Sequence, residues 1–305
     1  MSILTVDGLC KQFQSHQVLR SLSFAVEEHS VFGFLGQNGA GKTTTMKLIL
    51  GLLKADSGTM TVCGEPVHYG QTATNRLVGY LPDVPEFYSY MTPREYLRLC
   101  GRIAGLPEDT TKQRSKQLLE MVGLTKSNKR ISGFSRGMKQ RLGIAQALLH
   151  EPKLLICDEP TSALDPIGRK EILDILAQVR GKTTVLFSTH ILSDVERICD
   201  TVAILHQGSV AMSGSLPELK ARKRHTELTI RFAEAQDATR LLEAPALAPF
   251  RACMQQTEGL LVCTTPQMQA LQAAVIRALA DTGLLPVCME LAEPTLESLF
   301  LEVVQ

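Results

Sequence analysis

Nine consecutive residues, Gly36-Gln-Asn-Gly-Ala-Gly-Lys-Thr-Thr44, have the types and spacing to hold a polyphosphate. Gly36, Gly41, Lys42 and Thr43 fit the phosphate-loop pattern G-x-x-x-x-G-K-[ST]. Wrapping phosphate oxygens takes a run of backbone N–H groups, and side chains at the glycine positions would block that approach. The Lys42 ammonium would reach the β- and γ-phosphates, and the Thr43 hydroxyl would ligate Mg²⁺. Gln37, Asn38, Gly39, Ala40 and Thr44 complete the cradle. Two further places carry reactive groups. Asp158 and Glu159 follow the apolar run Leu154-Leu-Ile-Cys157. Adjacent carboxylates there are costly unless they bind a cation, position water, or sit in a solvated turn. His190 closes Ser188-Thr-His190 after the apolar run Thr183-Thr-Val-Leu-Phe187. A lone histidine in such a place is more often structural than catalytic.

These groups need strands and helices to hold them. Val31-Phe-Gly-Phe-Leu35 reads as a short buried strand running into the glycine loop, and Met46-Lys-Leu-Ile-Leu50 as the helix leaving it. Ahead of them, Ile3-Leu-Thr-Val6 and Val18 to Val26 read as antiparallel strands, with Phe13 in the polar turn between. Thr59 to Val62 and Leu77 to Leu81 are further strands, the second ending at Pro82-Asp83. From Pro93 to about Asn128 the pattern turns helical, with Thr92 as cap, Pro93 as first helical residue and a second helix over Lys112 to Val122. Ser135 can cap the helical run that ends at His150. A Glu151-Pro152 break then precedes the strand Lys153 to Cys157. Ligands of α/β sheets collect at the carboxyl ends of strands, which favours metal chemistry at Asp158 and Glu159.

At 305 residues with 44% apolar, the chain can fill one large or two ordinary domains. A formal net charge of +1 supplies no global attraction to nucleic acid or anionic lipid. The start Met1-Ser-Ile-Leu-Thr-Val-Asp lacks the features of a signal peptide, and no stretch reaches the ~18 apolar residues of a membrane span. A soluble cytoplasmic protein is expected. The eight cysteines show no metal-ligand spacing and read as small buried hydrophobes.

Taken together, the motifs over about the first 215 residues resemble the ATP-binding cassette family, the ATPase subunits of ABC transporters. The fold this implies is α/β: a P-loop NTPase cassette with a RecA-like core, an antiparallel β subdomain and a helical subdomain at about 84–150. By the same resemblance Gly36 to Thr44 is the Walker A loop, Phe13 stacks on adenine, and Asp158 ends the Walker B strand and holds Mg²⁺ with Thr43. Glu159 would polarise the attacking water and His190 would contact the γ-phosphate, so that Glu159, His190 and Lys42 form the catalytic set. Ser162-Ala-Leu-Asp165 resembles the loop linking two active sites across a dimer. Ser135 and Gly137 fall at places of the family signature Leu-Ser-Gly-Gly-Gln. Two motifs depart from the family, at three positions. Arg136 and Met138 replace a Gly and the Gln of the signature, and Asp83 stands for a Gln that senses Mg²⁺ and the membrane subunit. An aspartate can still ligate the metal or its water.

The resemblance further implies ATP and Mg²⁺ as cofactors, a head-to-tail homodimer and separate integral membrane permease subunits docking around Phe87 to Gly105. It implies no nucleic acid. The expected place is the cytoplasmic face of the cell membrane, and the expected direction is export, after the drug-export and ABC-2 branch. The alternative is a soluble cassette ATPase acting on the ribosome or DNA. Only about ninety residues separate Lys42 from Ser135, without sustained heptads, which disfavours the coiled-coil chromosome ATPases.

From residue 216 to 305 the composition changes. Lys220-Ala-Arg-Lys-Arg224-His225 reads as a helix end and linker, a solvated face rather than a headgroup or partner contact. Glu227 to Phe232, Arg251 to Met254, Leu260 to Cys263 and Leu285 to Met289 read as strands, with helices over Glu234 to Glu243 and Met268 to Thr282. The order βαββαβ suggests a small α+β, ferredoxin-like domain, expected to serve dimerisation or regulation. The last stretch, Glu293-Pro-Thr-Leu-Glu-Ser-Leu-Phe300, resembles the C-terminal helix of the export branch.

Overall fold

The computed structural model describes residues 2–71, 73–125, 129–222, 227–291, 296–297 and 299–300. The chain forms two compact units, Met1–Leu216 and Pro217–Glu302. The first opens with a hairpin, β1 (Ser2–Phe13) and β2 (His16–Glu27), longer than the apolar runs alone suggest. After β3 (Val31–Gly36) and α1 (Lys42–Ile49), β4 (Ser57–Val62) and the two-residue β5 (Glu65–Pro66) join the hairpin in an antiparallel sheet ordered β2-β1-β4-β5. Leu4 and Val6 of β1, and Leu22, Phe24 and Val26 of β2, are buried in alternation with exposed neighbours, as one covered face requires. Phe24 of β2 faces Phe32 and Phe34 of β3 at ring separations of 5.7 and 5.0 Å, fixing this sheet against the next.

The central sheet adds β6 (Val78–Leu81), β7 (Leu154–Asp158), β8 (Thr184–Thr189), β9 (Thr201–His206) and β10 (Ser209–Ser215) to β3, in the order β10-β9-β3-β8-β7-β6. All its pairings are parallel except β10 on β9. Every residue of β3, β7 and β8 is buried, because the antiparallel sheet and α1 cover one face of this sheet and helices cover the other. Between β6 and β7 lies the helical insertion: α2 (Pro93–Ile103), α3 (Glu108–Met121) and α4 (Arg136–Ala147). Thr92 and Glu95 form a reciprocal capping box at α2, with Pro93 in its first turn. Tyr96 ties α2 to α4 through its hydroxyl, 3.0 Å from Gln146 Oε1. Then follow α5 (Pro166–Val179) and α6 (Leu192–Ile198), and α7 (Leu216–Arg222) begins at the boundary with the second unit.

The second unit runs β11 (Glu227–Arg231), α8 (Ala235–Glu243), β12 (Met254–Thr257), β13 (Leu260–Thr264), α9 (Met268–Thr282) and β14 (Cys288–Leu291). Its antiparallel sheet is ordered β12-β13-β11-β14 around a core that includes Leu228, Ile230, Leu241, Leu261 and Val275. Two expected strands are corrected here. Residues 251–253 belong to a 3-10 segment, Pro245–Cys253, because Arg251 turns back to donate to the carbonyls of Leu242 and Glu243 at the end of α8. The last strand starts at Cys288 rather than Leu285: Pro286 has no N–H to give, and the first backbone bond to β11 is Val287 N–H to Arg231 O, 2.8 Å. Lys223 to His225 of the basic run, and Glu293 to Thr295 with Ser298 of the final stretch, lie outside the described residues.

Candidate nucleotide site

Register in the central sheet brings the reactive groups to one edge. β8 lies between β3 and β7, with Leu35 opposite Thr189 and Asp158 opposite Ser188. The glycine loop after β3, Glu159 after β7 and His190 after β8 therefore leave from the same carboxyl edge.

The loop itself is built on glycine geometry. Gly41 sits at φ +106°, and a Cβ there would come within 2.6 Å of the Leu19 side chain. Gly36 is hemmed in differently, its Cβ position lying 2.9 Å from the carbonyl oxygen of Leu205. Residues 37–39 stay exposed at the crest, and Ala40 N–H closes the turn on Gln37 O at 3.1 Å. Lys42, 6% exposed, folds back under the loop: its ammonium donates to Gly36 O at 2.7 Å and Gln37 O at 3.3 Å, and lies 3.2 Å from Glu159 Oε1. The last contact is an ion pair by distance without hydrogen-bond alignment, since Oε1 is otherwise unpartnered. A buried ammonium held beneath a glycine loop is a prepared seat for phosphate oxygens.

Glu159 adopts the left-handed conformation, φ +48°, uncommon outside glycine and enriched at functional sites. Ser188 holds it there. Glu159 N–H lies 3.1 Å from both the carbonyl and the hydroxyl oxygen of Ser188, and that fully buried hydroxyl donates to Asp158 Oδ1 at 2.7 Å. His190 Nδ1 is 2.9 Å from Glu159 Oε2, so lysine and histidine grip the two oxygens of one carboxylate.

These groups border a cavity of about 470 Å³ lined by Phe13, His16, Val18, Asn38, Gly39, the stretch from Gly41 to Thr44, Asp83 and Glu159. Phe13 is 44% exposed at its rim, with the Lys11 ammonium 5.2 Å from the ring centroid. The oxygen donors of Thr43, Asp158 and Asp83 suit a hard cation such as Mg²⁺. Among the described residues no cluster of three His, Cys, Asp or Glu forms a complete metal cage, so the shell would be finished by phosphate oxygens and water.

Of the expected residues, Gly36, Gln37, Ala40, Asp158 and His190 neighbour lining residues without lining the cavity themselves, whereas Ser135, Gly137 and Asp165 stand at the starts of other helices. Ser135 caps α4, its hydroxyl accepting from Met138 N–H at 3.2 Å, and Gly137 is in the first turn of that helix. Asp165 caps α5 by accepting from Gly168 N–H at 3.0 Å. Sequence reasoning did not assign roles to Ser188, His16 or Val18. For Ser188 the usable signal was its place beside His190 at a strand end.

With this geometry in view, residues 19–162 match the family model for ABC transporters. The uncharacterized ABC transporter ATP-binding protein YxlF of Bacillus subtilis (strain 168) is 46% identical over 229 residues, 75% of this chain and 76% of that protein. Nod factor export ATP-binding protein I of Ralstonia nicotianae is 33% identical over 305 residues, covering 99% of this chain and 93% of its own. Among solved structures, an ATP-binding subunit of an ABC transporter superposes with a TM-score of 0.66 at 34% identity, over 72% of this chain and 93% of that one. No helix among the described residues is long and apolar enough to cross a membrane. The chain belongs to the ATP-binding proteins of ABC transporters and is an ATP-hydrolysing subunit of such a transporter.

Proposed function

We propose that ATP is hydrolysed at the 470 Å³ cavity and that the energy drives export through separate membrane-embedded subunits. The observation that carries this is Glu159, held between Lys42 at 3.2 Å and His190 at 2.9 Å at the carboxyl edge of β7. Phe13 offers a stacking face for adenine. The loop amides and Lys42 take the β- and γ-phosphate oxygens, displacing the Gly36 and Gln37 carbonyls from the ammonium. Thr43 and Asp158, with Asp83 nearby, would hold Mg²⁺, which would neutralise charge on the phosphates. Glu159 accepts a proton from water as its oxygen bonds to the γ-phosphorus and the bond to the β-γ bridging oxygen breaks. His190 steadies Glu159 and the γ-phosphate oxygens.

Ser135 and Gly137 stand at a helix N-terminus away from this cavity, a place fit for phosphate. They complete the site of a second copy, head to tail, so that each closed site takes its loop from one chain and its signature from the other. Export is supported by the near-full-length relative whose name records export of a Nod factor. The membrane partner places the chain at the cytoplasmic face, and the second unit acts as a dimerisation or regulatory module. Affinity purification of the tagged full chain from detergent-solubilised membranes should recover a polytopic membrane protein; recovery with ribosomes or DNA alone would overturn the transport reading.

A further inference from the structure

Two of the three positions where the motifs depart from the family pattern are joined in the structure. Arg136, in the signature segment at the start of α4, puts Nη2 at 3.2 Å from Oδ1 of Asp83, on the loop after β6. The residues are 53 apart in sequence, and each would be odd alone: a guanidinium where a glycine is usual, and an anion where an amide is usual. A second bond runs beside the first. Gln140, fully buried on α4, donates from Nε2 to the Asp83 carbonyl at 2.5 Å, fixing the backbone of residue 83 to that helix. The backbone is held while the carboxylate stays free to turn, its side chain being 46% exposed and that of Arg136 42%. Asp83 also lines the cavity with Lys42, Thr43 and Glu159. One carboxylate thus has two possible partners, the guanidinium of the signature segment and whatever cation enters the cavity.

We propose that Asp83 and Arg136 form a charge interlock between the nucleotide cavity and the signature segment of the same chain. Without nucleotide the carboxylate engages Arg136. When Mg-nucleotide occupies the cavity, Asp83 turns to the cation or its bound water and releases Arg136. The freed guanidinium, beside Ser135 and Gly137 at the N-terminus of α4, then binds phosphate oxygens of the nucleotide held by a second copy, where its positive charge adds to the backbone N–H groups. This last step rests on the head-to-tail reading; the competition for Asp83 does not. A pair this exposed is weak enough for a bound cation to break, as a switch requires.

The first arm of the test uses the full chain and titration of a fluorescent Mg-ADP analogue, which needs neither turnover nor a dimer. Arg136→Ala removes the competing partner and should tighten binding about threefold, the fold-change of an exposed ion pair. The gain should vanish in EDTA and in the Asp83→Asn background, while Arg136→Lys should bind like wild type. Unchanged affinity in Arg136→Ala, or an equal gain with Asn at position 83, would overturn the interlock. The second arm follows ATP-driven association by sedimentation in the Glu159→Gln background, where Arg136→Ala should weaken the dimer at least fivefold and Arg136→Lys should retain it. Equal association would overturn the phosphate-binding step. Absence of any dimer in the Glu159→Gln parent would refute the head-to-tail reading and that step with it, leaving the first arm as the test of the interlock.

Discussion

Replacing Ser188 by Ala removes one oxygen from the floor of the site and leaves every phosphate-contacting group in place. The hydroxyl is fully buried and donates to Asp158 Oδ1 at 2.7 Å. Glu159 N–H loses one acceptor at 3.1 Å but keeps the Ser188 carbonyl at the same distance. The net loss is therefore the bond to the carboxylate. Hydrogen bonds to charged groups contribute about 1.5–3 kcal/mol. If that contribution serves to aim Asp158 and Glu159 in the transition state, kcat for Mg-ATP should fall about 10- to 150-fold. Binding should change little, because Lys42 and the loop amides are untouched. Steady-state ATPase assays, paired with titration of a fluorescent nucleotide without Mg²⁺, separate the two effects. A kcat within twofold of wild type would refute the positioning role of Ser188; an equal loss of metal-free binding would show that the whole edge of the sheet had moved instead.

Three other outcomes follow from particular contacts. Phe13→Ala should raise KM for ATP about tenfold, the order of one lost base–aromatic stacking contact, while leaving the affinity for inorganic tripolyphosphate unchanged. Thr92→Ala breaks the capping box of α2 and should lower stability by about 1 kcal/mol in urea unfolding, with ATPase activity retained. Burial holds the pKa of His150 below its usual value, opposed by the Val78 carbonyl 3.2 Å from Nε2 and reinforced by the Arg114 charge. The folded state thus prefers neutral His150, so its share of stability is present above the unfolded pKa of about 6.5 and is lost as pH falls from there through the lower folded value. His150→Gln should flatten the pH dependence of unfolding in that window.

Much of this molecule was readable in its residues because the constraints are local. A loop that must present its amides allows no Cβ at Gly36 or Gly41, and the Leu205 and Leu19 neighbours show why. Asp158 and Glu159 announced themselves as adjacent charges after a run that had to be buried, and Thr92-Pro93 carried both the cap and the first turn of α2. Most of the misses came from long-range partners. Nothing near Asp83 names Arg136, 53 residues away, as its counter-charge. Ser188 is an ordinary strand-end serine until the sheet places it opposite Asp158. Arg251 looked like the start of a strand, but the carbonyls it reaches at residues 242 and 243 are a property of the fold. In the last strand a local cue was available and underweighted: Pro286 cannot donate to a ladder.

The central claim is that Glu159, gripped by Lys42 and His190, polarises the water that attacks ATP, while a second copy completes the site. Glu159→Gln keeps the shape and removes the base. The most direct measurement is therefore ATP turnover by the purified Glu159→Gln protein, with its association state followed by sedimentation in Mg-ATP. Turnover reduced at least a hundredfold together with a stable ATP-bound dimer is the predicted result. Wild-type turnover, or a protein that stays monomeric when saturated with ATP, would contradict it.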